Sequence, residues 1–200
     1  MATEVSICNI ALMRCGVSFS ISAIDEGSQE ANACNVFFAH CRDVTLQGAP
    51  WGFAKRRATL ALSSTAAPTG WAYSYAMPTD CLAPREIINP SVPRNARNDQ
   101  RVPFAVGGTG SQRLIFCDLE DAELEYTARV TNAAQFDPLF ADAVAWMLAA
   151  EIAAPLSASG DIISMARKMH AQAMHAAITR ALSEGCEGPE PESELIAARY

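Results

Sequence analysis

The chain is short of charge, of histidine and of any catalytic signature. Of its 200 residues 18% are charged, and Lys plus Arg (15) fall below Asp plus Glu (22), for a net charge of −7. A protein that grips phosphate backbones needs a surplus of basic groups on one face, so this balance argues against that class. There are three histidines, His40, His170 and His175. The last two are five apart on an expected helix, about 140° around it, and so cannot share a metal. No His-Glu-x-x-His, Gly-x-Ser-x-Gly or phosphate-loop pattern occurs, and the expectation is a non-enzymatic protein without a cofactor. Long apolar runs are missing as well. The most apolar stretch, 141–154, is interrupted by Asp142 and Glu151 and is too short to span a bilayer. Met1-Ala2-Thr3-Glu4-Val5 has no basic opening and no long apolar run, unlike a secretory leader. A protein made in the cytoplasm, with no membrane partner, is expected. The seven cysteines (8, 15, 34, 41, 81, 117 and 186) include no Cys-x-x-Cys and none at metal spacing from a histidine. Cys8 and Cys15, like Cys34 and Cys41, are seven apart and share a helix face, so they read as small buried hydrophobes rather than a disulfide framework.

What is present suits a globular fold. Half the residues are hydrophobic, which excludes disorder over the whole length, and a chain of this size buries roughly 70% of its extended-chain surface. The first fifty residues predict two helices, about 3–16 and 28–48. Thr3 and Ser28 serve as caps, and Gly16 and then Gly48 with Pro50 as stops. A short connection between them suggests an antiparallel pair. From Trp51 to Val130 the apolar runs become short and strand-like: Ala58–Leu62, Trp71–Ala76, Arg85–Ile88, Val102–Val106, Arg113–Cys117 and Glu123–Val130. Gly107-Gly108-Thr109-Gly110 precedes a strand rather than a helix, so it reads as a hairpin turn and not a phosphate loop. Asp137-Pro138 then opens a helix to about 154. That helix is apolar nearly all round, as expected in a bundle core or between subunits. A last helix covers about 160–183, capped by Ser157 or Ser159.

The expected class is therefore α+β. Residues 1–50 and 136–183 form a helical bundle, 51–135 an inserted, mostly antiparallel β region, and 184–200 an extended arm. From Glu184 to Tyr200 five Glu face one Arg, a net of −4, which leaves −3 for the other 183 residues. Gly185, Gly188, Pro189 and Pro191 prevent a continuous helix there, yet the segment ends in Leu195-Ile196-Ala197-Ala198-Arg199-Tyr200. That ending reads as a docking peptide, with Glu187, Pro189, Pro191, Glu194, Leu195, Ile196 and Tyr200 as its contact residues.

Two basic clusters stand out. Lys55-Arg56-Arg57 follows Trp51-Gly52-Phe53, and Arg94, Arg97 and Arg101 lie in a proline-flanked polar segment. Either could touch nucleic acid, which would make the chain a small nucleic-acid-binding module. With a negative total, a solvated or intersubunit surface is favoured, with Trp51 and Trp146 as further candidates for subunit or tail contacts. Glu120, Asp121, Glu123 and Glu125 form an acidic cluster expected at a turn and on the wet face of a strand.

Several segments, in order, resemble one family: residues 1–12, Ala31-x-x-Cys34, Cys41-Arg42-Asp43, and Pro50-Trp51-Gly52-Phe53-Ala54-Lys55-Arg56-Arg57-Ala58. They continue with Tyr73-x-Tyr75-Ala76-Met77-Pro78-x-Asp80-Cys81-Leu82, Tyr126-x-x-Arg129-Val130-Thr131, residues 136–146 from Phe136-Asp137-Pro138 to Trp146, and 149–156 from Ala149-Ala150-Glu151 to Pro155-Leu156. Together they resemble the tail tubular protein A family of tailed phages, the head-to-tail adaptors or connectors. The resemblance implies a dodecameric homo-oligomeric ring under the portal protein in the virion neck. It implies that the C-terminal arm reaches along the portal and the opposite side receives the next tail component, whether nozzle, tail tube or stopper. DNA would pass through the lumen without specific binding.

Overall fold

The computed structural model describes residues 2–89, 101–110 and 112–183. Two compact units are present, one helical, from the residues up to Ala54 together with those from Ala128 onward, and one β-rich, Lys55–Thr127. The α+β class is as expected.

In the helical unit, α1 (Glu4–Arg14) starts with a reciprocal capping box between Thr3 and Ser6. Gly16 follows its end at φ +80, a conformation that costs a glycine little. α2 (Gln29–Gln47) is capped by the Ser28 hydroxyl, which accepts from the Ala31 amide. α3 (Pro138–Ile152) has Asp137 as cap and Pro138 at its first position. α4 (Gly160–Ser183) starts with the Ile162 amide donating to Ser159. All four lie within two residues of their expected bounds. α1 and α2 are not chiefly a pair, however: both pack mainly on α3, and α4 covers it from another side. Burial of Phe140, Ala143, Val144, Ala145, Leu148, Ala149 and Ile152 along α3 follows from that. The apolar excess that suggested a subunit interface is consumed by the unit's own core.

The helical unit also extends further along the chain than the expected 1–50 and 136–183. Trp51 and Phe53 on one side and Phe136 on the other stack around Phe140, with ring centroids 5.0, 5.0 and 4.9 Å from it, each edge to face. Burial of these rings holds both connecting segments to the bundle, so the boundary falls at Ala54/Lys55 and Thr127/Ala128.

The β unit contains two three-stranded sheets. In the first, the order is β1 (Lys55–Thr59), β6 (Glu123–Ala128), β3 (Cys81–Ile88). In the second, it is β2 (Tyr73–Ala76), β5 (Gln112–Cys117), β4 (Phe104–Thr109). Single bridges Ile87↔Val102 and Leu62↔Tyr75 tie the two sheets at both margins. β1 begins earlier than the apolar run predicts, because its charged residues sit on an edge strand where charge is tolerated. β3 includes Pro84, which lacks a donor and is admitted at an edge. The glycine-rich stretch does form a hairpin: β4 and β5 pair from Phe104↔Cys117 to Thr109↔Gln112, with Gly110 turning at φ +61.

Gly107 has a further reason to be glycine. A Cβ built there would lie 2.5 Å from the Phe116 ring, which covers the position from β5. Gly107→Val should therefore cost about 1–3 kcal/mol by overpacking, read as a lower urea midpoint; an unchanged midpoint would show that Phe116 moves aside freely.

Candidate functional site

The residues singled out from sequence fall into three groups. Arg94, Arg97, Glu187, Pro189, Pro191, Glu194, Leu195, Ile196 and Tyr200 lie outside the described residues. Trp51 is no surface contact: it is 2% exposed, and its indole N–H donates to the Thr45 carbonyl at 3.0 Å. Trp146 is half-buried, with the Arg14 guanidinium 3.9 Å from its ring centroid. The same guanidinium donates to the Asp142 backbone carbonyl at 3.1 Å and pairs with its carboxylate, fastening α1 to α3.

The first basic cluster is at the surface, and one of its three charges is offset within the sheet. β1 runs antiparallel to β6 with Lys55 opposite Thr127 and Arg57 opposite Glu125. This register puts Lys55, Arg57 and Glu125 on one face, and both cations bind that carboxylate, at 2.6 and 2.7 Å. Arg56 points the other way, as strand alternation requires, and is exposed. Arg85 on β3 donates to the Thr127 hydroxyl at 2.9 Å. Arg101 sits 3.8 Å from Glu86, a loose surface pair.

The expectation for Glu125 is corrected here. It is buried, not on a wet strand face, because the side chains of Lys55 and Arg57 on the neighbouring strand meet it there. Asp121, by contrast, is exposed in the turn before β6, at φ 52. Burial raises the Glu125 carboxyl, but hydrogen bonds and charge from Lys55 and Arg57 outweigh it, and the group titrates below the ordinary carboxylate value. A depressed folded-state pKa contributes stability that is present above the unfolded value and lost as pH falls through the folded one. The advantage of wild type over Glu125→Gln should thus be full at neutral pH and shrink below about pH 4. Urea unfolding of both proteins at pH 7 and at low pH tests this; a constant gap would mean that the ion pairs contribute nothing.

Two arrangements were not legible in sequence. Arg42, nearly buried, donates its Nε to Asp43 at 2.8 Å, and Arg129 reaches the other carboxylate oxygen at 2.9 Å. Glu26 accepts from the amides of Ser22 and Ala23 and from the Ser28 hydroxyl, which holds its carboxyl below the usual range and fastens the loop into α2. The first joins α2 to a residue just beyond β6 and the second lies in a loop, so neither leaves a period to read.

The six described cysteines are buried and unpaired as disulfides. Desolvation pushes the thiols of Cys15 and Cys81 up to about 11 and that of Cys41 to about 12. Such groups are packing residues rather than nucleophiles. Among the described residues, no group of three or more His, Cys, Asp or Glu side chains could hold a metal ion, and no helix is long and apolar enough to cross a membrane.

No protein-family model matches the chain, and no curated protein matches it either.

Proposed function

We propose that this chain is a head-to-tail adaptor of a tailed phage, a structural protein of the virion neck. Copies form a closed ring that docks under the portal, receives the next tail component on its far side and lets DNA pass through its lumen. The observation that carries this reading is the order of parts: a helical unit built from both ends of the chain with a β-rich unit inserted between. It is the arrangement expected from the sequence, whose ordered segments resemble the tail tubular protein A family. The acidic total fits a conduit through which a duplex must slide rather than be held.

The rival reading, a nucleic-acid-binding module, draws less support. Two of the three cations of the first basic cluster are tied to the buried Glu125, so part of the cluster's charge is spent within the sheet rather than offered to phosphate. The two readings part on one experiment. Purified protein added to DNA-filled heads that lack tails should stay bound to the portal vertex and make those heads competent to accept tails. Salt-dependent retention on DNA, with no binding to heads, would favour the rival instead.

A further inference from the structure

Phe19 is the most exposed large apolar side chain among the described residues, at 74%. It does not stand alone on a convex surface. Together with Ser20, Ile21, Glu26, Ser28 and Glu30 it lines a groove of ≈ 350 Å³ between the loop after α1 and the first turn of α2. The groove has a rigid frame. The Asn9 side chain bonds both the amide and the carbonyl of Ile21, at 2.8 and 3.0 Å, and Glu26 ties down Ser22, Ala23 and Ser28. An exposed aromatic beside two carboxylates, one of them held in place at Glu26, suits a Lys or Arg side chain, whose aliphatic stem lies on the ring while its charge meets the acids.

The helical unit itself carries that chemistry, on another element. Between Arg14 and Arg42 the chain has three acids, Asp25, Glu26 and Glu30, and no Lys or Arg. Outside α4, the unit's three arginines are spent internally: Arg14 on Asp142, Arg42 and Arg129 on Asp43. On α4, Arg167 and Lys168 are both exposed, next to Met165, which is 49% exposed. Among the described residues no carboxylate lies within ion-pair distance of either cation, and Asp25, Glu26 and Glu30 have no cationic partner. Opposite charges of one unit, unpaired within one copy, can be satisfied between two.

We propose that the Phe19 groove of one copy receives Arg167 and Lys168 of α4 from a second copy. The contact is heterologous, with different surfaces meeting, so each copy has one donor face and one acceptor face. Repetition of such a contact closes a ring when the rotation permits. The inference rests on the ring reading and gives that ring its seam.

Sedimentation velocity of the full chain over a range of concentrations tests it without a portal. Wild type should self-associate, more weakly as salt is raised. Arg167→Glu with Lys168→Glu, and separately Glu30→Lys, should each lower the association constant at least about tenfold with circular dichroism unchanged. Equal amounts of the two defective proteins should associate again, since the groove of the first and α4 of the second are both unaltered. Phe19→Ser should weaken association without altering its salt dependence. The proposal is overturned if wild type stays monomeric at every concentration, or if the charge-reversed proteins associate as wild type does. Failure of the adaptor reading would look different: protein that associates through this seam yet ignores portal-bearing heads.

Discussion

Replacing Phe140 by Ala should remove about 3–5 kcal/mol from the stability of the helical unit. The side chain is fully buried and sits at the centre of a ring cluster in which Trp51, Phe53 and Phe136 all meet it edge to face. Large-to-small changes of this kind lose the transfer free energy of the ring and leave a cavity that its neighbours fill only in part. The neighbours here are poorly placed to collapse. Trp51 is pinned by its indole hydrogen bond to Thr45, and Phe136 is fixed one residue before the Asp137 cap of α3. The effect should reach beyond one helix, because the cluster holds the segments through which the chain leaves and re-enters the unit. Chemical denaturation followed by tryptophan fluorescence gives the number, and Trp51 itself reports on the cluster. A loss below about 1 kcal/mol would contradict the packing described, since only well-relaxed sites lose so little.

The second large effect is functional. Truncation after Ser183 should leave a folded body that no longer attaches to DNA-filled, portal-bearing heads. The removed segment, 184–200, is rich in Glu, Gly and Pro and contains Leu195, Ile196 and Tyr200. Under the adaptor proposal these side chains anchor on the portal while the Glu residues meet basic portal groups. Ordering such a segment costs several kcal/mol, so one arm binds weakly and the many copies of a ring supply the avidity. Truncated protein that joins heads and tails at normal yield would show the arm to be dispensable.

The sequence was most readable where a local signal repeats. Apolar spacing and caps located the four helices within two residues, since Thr3, Ser28 and Asp137 each satisfy a backbone donor as their type and position suggest. Strand edges were less legible because partners decide them. Lys55 and Arg57 precede the first apolar run, Ala58–Leu62, and only the register with β6 makes them strand residues facing Glu125. The alternation of Leu124, Glu125, Tyr126 and Thr127 suggests one wet face, whereas Lys55 and Arg57 on β1 cover Glu125 on that face and all four side chains are buried. Trp51 illustrates the same limit: an aromatic beside a basic run resembles a binding surface, and only Phe140, 89 residues later in the chain, makes it core. The groove at Phe19 had no sequence signature either, because Asn9 and Glu26 shape it through single hydrogen bonds to backbone.

The central claim is that copies of this chain form a ring on a portal. Electron microscopy of the full-length protein, with and without its portal, tests it most directly. A closed ring seated under the portal is expected, with the helical units in lateral contact through the Phe19 groove and α4. A single copy bound at the neck, or no binding to the portal at all, would contradict it.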